Sequence, residues 1–258
     1  MHRQSRSAAT LTENDFEFVL STRLFCLVPL LIMKSIIIVA AHPDDEVLGC
    51  GGTIAKLADE GAIIHVAFLA DGVFSREGEQ VKQQEELRIR RTAAQKACDI
   101  LGVKSVSFSD FSDNRMDTVA LLDITKVVEE LIAAHRPDTL FTHHAGDVNI
   151  DHRLTHEAVV TACRPQRGHP VKTLLCFEVP SSTEWQLPGS ALVFAPNWFV
   201  DISDTLDRKF AALEAYADEL RAWPHPRSLQ GVEHLSHWRG ATVGVDAAEA
   251  FILGRQLA

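Results

Sequence analysis

The stretch from Ile36 to Gly52 reads IIIVAAHPDDEVLGCGG, and its second half is dense with groups that do chemistry. An apolar run ends at His42, and Asp44, Asp45 and Glu46 follow at once. A second polar cluster, HHAGDVNIDHRLTH, spans residues 143–156 and holds four of the twelve histidines: His143, His144, His152 and His156. Imidazole and carboxylate together are ligands for zinc or a similar divalent ion, and a catalytic site of that kind needs three protein ligands plus an open position for water. A capped turn is the competing reading, because acidic groups are favourable near a helix N-terminus and a helix is expected to begin near Gly51. One cap uses one carboxylate, however. Two adjacent aspartates, a glutamate and a histidine at one strand end repel and desolvate one another unless a cation joins them. The five cysteines, Cys26, Cys50, Cys98, Cys163 and Cys176, form no CxxC pair. This argues against a thiolate zinc site and for reduced, buried thiols in a cytoplasmic setting.

The elements that must position these groups alternate along the chain. Residues 35–41 form a β-branched run, the pattern of a parallel strand buried on both faces. Residues 51–60 read as a helix stopped by Gly61. Further strands are expected over 62–70, 105–110 and 138–144, with helices over 80–101, 119–135 and 151–163. This order predicts an α/β fold: a doubly wound, mostly parallel, Rossmann-like sheet with helices on both faces and a C-terminal elaboration. Beyond residue 171 the rhythm weakens. Residues 173–179 and 197–203 read as strands and 206–222 as a helix, and DAAE at 246–249 reads as the start of a last helix, with Asp246 as cap and Glu249 three residues on. In open sheets of this type ligands bind beyond the carboxyl ends of the strands, so both polar clusters fall on one rim.

Composition sets outer bounds. The chain has 258 residues, 46% hydrophobic and 23% charged, enough for one sizeable core, and its formal charge of −10 argues against a general nucleic-acid binder. Residues 24–33 are apolar but too short to span a bilayer, contain Pro29 and precede no small-residue cleavage site. Met33 stands directly before the first strand and is expected to be the biological start, which makes residues 1–32 a disordered extension or a mis-called start. The sequence LGCGG lacks the GxGxxG of a dinucleotide-binding dehydrogenase.

AHPDDE at residues 41–46, after a β-branched strand, resembles the signature of the PIG-L/LmbE-like zinc-dependent de-N-acetylases. The resemblance runs from about Met33 to the end, with the second histidine segment in place, and implies a deacetylase domain over residues 33–258. By that resemblance the activity is zinc-dependent hydrolysis of the acetamide of an N-acetylated amino sugar or sugar conjugate. Zn2+ would be held by His42, Asp45 and His152, and Asp44 would be the general base for the attacking water. The family's His-Pro-Asp-His tetrad stands here as Asn149, Ile150, Asp151 and His152. The histidine that helps stabilise the tetrahedral intermediate is thereby replaced by Asn149, whose amide N–H is the preferred substitute ahead of His143, His144 or His156. Arg90, with Arg88 and Arg91 as rivals, and Asp113, with Asp117 as its rival, match the residues that hold substrate hydroxyls or a phosphate; surface ion pairing is the competing reading for all of them.

Other positions carry weaker expectations. Glu46 orients His42 or caps the next helix, His156 stands beside the ligands or the substrate, and His65 is structural. PHPRS at 224–228 and HWRG at 237–240 place Arg and Trp in irregular segments, where sugar or phosphate binding and plain packing explain them equally. The implied partner is a small-molecule or glycoconjugate amino sugar, phosphorylated or not, with no nucleic acid and no transmembrane segment; an oligomer is compatible with the sequence. Two alternatives stay open: an amidase acting on another sugar or thiol conjugate, and a catalytically silent sugar- or metal-binding relative, which Asn149 keeps alive.

Overall fold

The structure, a computed structural model, describes residues 33–73 and 80–257. The expectations for residues 1–32 lie outside the described residues. Strand β1 (Ser35–Ala40) forms because its β-branched side chains alternate between two apolar layers. Ile36 and Ile38 join one core cluster, with Ile54, Cys98 and Leu213, while Ile37 and Val39 join the other, with Ile124, Val128 and Val159. Burial on both faces is what makes the run continuous rather than alternating.

The remaining elements follow as α1 (Asp45–Asp59), β2 (Ile63–Ala70), α2 (Gln80–Leu101), β3 (Ser105–Phe111), α3 (Leu121–His135), β4 (Thr139–His143), α4 (Ile150–Ala162), β5 (Thr173–Phe177), β6 (Trp198–Asp201), α5 (Leu206–Glu214), α6 (Leu229–Ala241) and β7 (Ala248–Gln256). Helices α1, α2, α5 and α6 supply the first apolar layer, and α3 and α4 the second. The seven strands lie in the order β3-β2-β1-β4-β5-β7-β6. The first five are parallel, and β7 runs antiparallel between β5 and β6. The predicted fold class is the one observed, including the C-terminal elaboration. Strand order reverses at β1, whose neighbours β2 and β4 leave in opposite directions, so a crevice opens beyond the carboxyl ends of β1 and β4. Both polar clusters start there.

The structure corrects three expectations in the C-terminal part. DAAE does not open a helix: Ala248–Gln256 is β7, because pairing on both edges outweighs a local capping pattern. The helix expected over 206–222 ends at Glu214, and turns carry the chain onward. HWRG is not irregular but belongs to the last turns of α6.

Glu249 has a different task from the one its spacing suggested. Its carboxylate accepts from Gly52 N (3.0 Å) and Thr53 N (2.7 Å), and from the buried Lys209 Nζ (2.5 Å), which also donates to Leu48 O (2.9 Å). Helix α1 is kinked at Cys50 (φ −150°, ψ 24°), so Glu249 caps its second half from across the sheet. That half begins at Gly51, where the sequence placed the helix start. The first half, carrying Asp45 and Glu46, forms a separate turn held over the strand ends. Gly49 permits this close seat: a Cβ there would lie 2.4 Å from the ring of Phe177. Among the described residues Cys50, Cys98, Cys163 and Cys176 are free and buried, and no helix is long and apolar enough to cross a membrane.

Candidate functional site

Immediately past β1, the turn His42–Pro43–Asp44–Asp45 folds back on itself. His42 N donates to Asp45 Oδ2 (2.8 Å), and Asp44 takes a positive φ of 112°, which a non-glycine residue adopts only under constraint. Glu46 imposes the constraint, accepting from Asp44 N (3.0 Å) and from the Tyr216 hydroxyl (2.6 Å). Burial pushes the Glu46 carboxyl up to about 8. Glu46 therefore shapes the turn and does not orient His42. Two other residues with positive φ, Asn114 and Ser181, line the same cleft, so backbone strain concentrates there.

Three side-chain atoms converge in this turn. Asp45 Oδ2 lies 3.4 Å from His42 Nδ1 and 3.3 Å from His152 Nε2. A tetrahedral ion with bonds of about 2.1 Å has ligand–ligand edges of about 3.4 Å, so the spacing fits a zinc-like ion. Each histidine is turned by a carboxylate behind it. His42 Nε2 lies 3.0 Å from Asp151 Oδ2 and 3.1 Å from Asp113 Oδ1; His152 Nδ1 lies 3.2 Å from Asp147 Oδ2. With a proton held on the carboxylate side, the other nitrogen of each ring presents its lone pair to the common point. Asp151 is itself locked by Asn114 N (2.7 Å) and Met116 N (3.0 Å), and Asp147 by the hydroxyls of Ser182 and of Thr183 (2.7 Å).

The electrostatics call for positive charge at that point. Burial opposes protonation of His152, but Asp45 and Asp147 override it and push the ring up to about 9; His42 is likewise raised by Asp113, Asp151 and Asp45 against the effect of burial. Asp45, against burial, is held well below the usual carboxylate range by His152 and His143. Protons thus fill a role that a divalent cation fills better, because the cation satisfies all three lone pairs at once. A second triplet, His42, Asp113 and Asp151, is also close enough to hold an ion. Both Asp151 oxygens already accept backbone N–H groups, however, and the first triplet carries two imidazoles.

Asp44 stands beside this point without entering it. Its Oδ2 accepts from Arg227 Nη1 (3.1 Å), and its Oδ1 makes no hydrogen bond among the described residues. Burial raises its carboxyl above the ordinary value, against the pull of Arg227. A cleft of about 490 Å³ opens over these groups, lined also by Arg90, Asp113, Asn149, Ser181, Glu219 and Trp185. Arg90 pairs with Glu219, whereas Arg88 pairs with Glu85 and Arg91 with Asp110 on the surface, so of the three arginines Arg90 faces the cleft. Asp113 is buried in the cleft and Asp117 is exposed outside it.

Asn149 caps α4, its Oδ1 accepting from Asp151 N (2.8 Å) and His152 N (3.4 Å), while its Nδ2 donates to Asn114 Oδ1 (3.2 Å). The other three histidines of this cluster bond to backbone groups. His143 Nε2 accepts from Ala41 N (2.8 Å), and its ring stacks behind His152 at 4.0 Å. His144 lies 2.9 Å from Leu192 O, and His156, which the sequence placed near ligands or substrate, lies 2.9 Å from His143 O outside the cleft. His65, 2.6 Å from Ser105 Oγ, is structural as expected. Sequence reasoning missed Asp147, Ser181 and Glu219 and left Arg227 undecided. Asp147 had a signal, being five residues before His152 in the second polar cluster; the other three lie in turns with no periodic pattern.

Comparison with known proteins agrees with this arrangement. The family model described as PIG-L, GlcNAc-PI de-N-acetylase, matches residues 37–163. The diacetylchitobiose deacetylase of Thermococcus kodakarensis is 30% identical over 195 residues, covering 72% of this chain and 70% of its own length. This chain belongs to the PIG-L family. Another relative, the 4-oxalmesaconate hydratase of Pseudomonas putida, is 29% identical over 215 residues, covering 74% of this chain and 76% of its own. Among solved structures, the N,N'-diacetylchitobiose deacetylase of Pyrococcus horikoshii superposes with a TM-score of 0.71 at 20% identity, covering 97% of this chain and 95% of that one, a likeness of fold. The PIG-L match ends at Cys163, so His42, Asp44, Asp45 and His152 fall inside it, while Ser181, Glu219 and Arg227 fall outside.

Proposed function

We propose that this protein is a metal-dependent hydrolase that removes the N-acetyl group from an N-acetylated amino sugar or sugar conjugate. One observation carries the reading: Asp45 Oδ2 lies 3.4 Å from His42 Nδ1 and 3.3 Å from His152 Nε2, the three residues offering ligand atoms within 4.8 Å of one another, beside a second carboxylate, Asp44, that stays outside the triplet. His42, Asp45 and His152 would hold the ion, and their donor set suits zinc. When bound, such an ion polarises an amide carbonyl and acidifies water. Asp44 Oδ1 accepts the proton of the attacking water and then returns it to the departing amine, giving acetate and a free amino sugar. Asn149 Nδ2 retains a second N–H to oppose charge growing on the carbonyl oxygen. Arg90 and Asp113 stand where sugar hydroxyls would be read, and the half-exposed Trp185 offers a flat apolar face at the mouth. The name of the Thermococcus kodakarensis relative supports the same chemistry.

A hydratase is the second reading, favoured by the Pseudomonas putida relative, since a base beside a cation seat also serves addition of water to an activated double bond. The deciding experiment incubates the protein, loaded in turn with zinc and other divalent ions, with N-acetylated amino sugars, their phosphates and short oligosaccharides. Acetate and primary amine are measured together. Equal release of both, absent in Asp44→Ala, is expected. Hydration of 4-oxalmesaconate with no acetate from any amide would replace the deacetylase reading.

A further inference from the structure

We propose that Arg227, braced by Ser181, is a positioning residue that clamps one oxygen of Asp44 so that the other faces the cleft. This rests on the reading of Asp44 as the base. The backbone of Asp44 is pinned by Glu46, but its side chain has a single hydrogen-bonding partner among the described residues, Arg227 Nη1 at 3.1 Å. Without that partner the carboxylate turns about χ1 at little cost, and a misplaced base loses most of its effect.

The guanidinium is fixed well enough to serve. Its Nε donates to Ser181 Oγ (3.1 Å) while Nη1 reaches Asp44, so the planar group is held along two directions. Glu219 Oε2 lies 3.9 Å from the same Nη1, and Glu219 also pairs with Arg90. Asp44, Arg227, Glu219 and Arg90 thus form a row of alternating charge along one wall.

Local structure holds both ends of the brace. Ser181 keeps its positive φ of 68° with its N–H on Glu184 Oε1 (2.6 Å). The turn carrying Arg227 is closed by Ser228 N to His225 O (2.9 Å) and by Arg227 N to His225 Nδ1 (3.1 Å), and Ser228 then caps α6 through Gly231 N (2.9 Å). Gly231 lets the turn lie against the helix, since a Cβ there would come within 2.6 Å of Pro226 O. A residue that only anchored an anionic substrate would not need its charge spent on Asp44 and its Nε on a serine.

The test compares Arg227→Ala, Arg227→Lys and Ser181→Ala with the unaltered chain, all metal-loaded. For Arg227→Ala, metal content is expected to be unchanged, kcat to fall about 100-fold and KM to stay within about twofold. Added guanidinium should restore part of kcat. Arg227→Lys should stay impaired, because one ammonium cannot hold Ser181 and Asp44 together, and Ser181→Ala should lose less. A raised KM with unchanged kcat would make Arg227 a substrate anchor and overturn the proposal, as would an unchanged kcat or an absence of rescue. Should Arg227→Ala fail to fold, Ser181→Ala decides, an unaltered kcat overturning. If the unaltered chain cleaves no amide, the deacetylase reading fails by itself, and crystal structures still judge the clamp: Asp44 displaced in the Arg227 variant supports it, and Asp44 in the same place in both refutes it.

Discussion

Residues 37–163 and the later segments from Val179 to Glu249 face one cleft but build their sides of it differently. In the first region the acidic groups and histidines around the triplet stand just beyond a parallel strand or in the first turn of the following helix, and the carboxylates that orient the two imidazole rings come from the same region. Asp151 turns His42, Asp147 turns His152, and backbone N–H groups hold Asp151. In the second region the side chains that reach the first leave irregular turns and strand β7, and they brace one another as well as acting on the first region. Glu249 caps the second half of α1, Tyr216 holds Glu46, and Arg227 reaches Asp44. The first region thus brings together a candidate seat for a cation, and the second sets the posture of the turn next to it. A family can keep the former while varying the latter, because loops tolerate change that strand ends do not.

That contrast can be broken or sharpened by substitution. His152→Ala removes a proposed ligand from the first region and should abolish metal retention and hydrolysis together, as chelation should in the unaltered chain, with metal analysis and acetate release as readouts. Asp44→Ala should leave metal content intact and lower kcat by about 100- to 10,000-fold; parallel loss of metal would show that Asp44 belongs to the ligand set. Lys209→Ala leaves the buried Glu249 carboxylate without its cation and should destabilise the fold by about 3–5 kcal/mol, measured by urea unfolding. Asp147→Asn loosens the His152 ring and should weaken metal affinity by about 10- to 100-fold, read by competition with a chelating dye. Trp185→Ala, at the rim, should raise KM by about two- to tenfold with kcat preserved. If the last change instead lowered kcat, the second region would do more than shape and receive.

The site was unevenly legible in the sequence. HPDDE and the later histidine segment announce a metal because like charges and imidazoles do not crowd a strand end without a cation. Which histidines would serve was not readable from spacing alone. His143, His144, His152 and His156 look alike on the page, and only the hydrogen bonds of three of them to backbone groups separate them from His152. Asp246–Glu249 shows the opposite failure. A genuine local capping pattern was overridden because β5 and β6 leave a gap between them that a strand fills on both edges.

Taken alone, the chain's order of residues determined the alternating strands and helices, the rim on which the polar clusters lie and the kind of chemistry they offer. These follow from periodicities and local repulsions that act over a few residues. The folded molecule alone decided that Asp45 lies between a histidine just beyond β1 and one in the first turn of α4, that Asp147 stands behind the latter, and that Arg227 meets Asp44 across 183 positions of sequence. Such pairings depend on how distant turns are brought together by the packing of two apolar layers, and no short-range pattern encodes them.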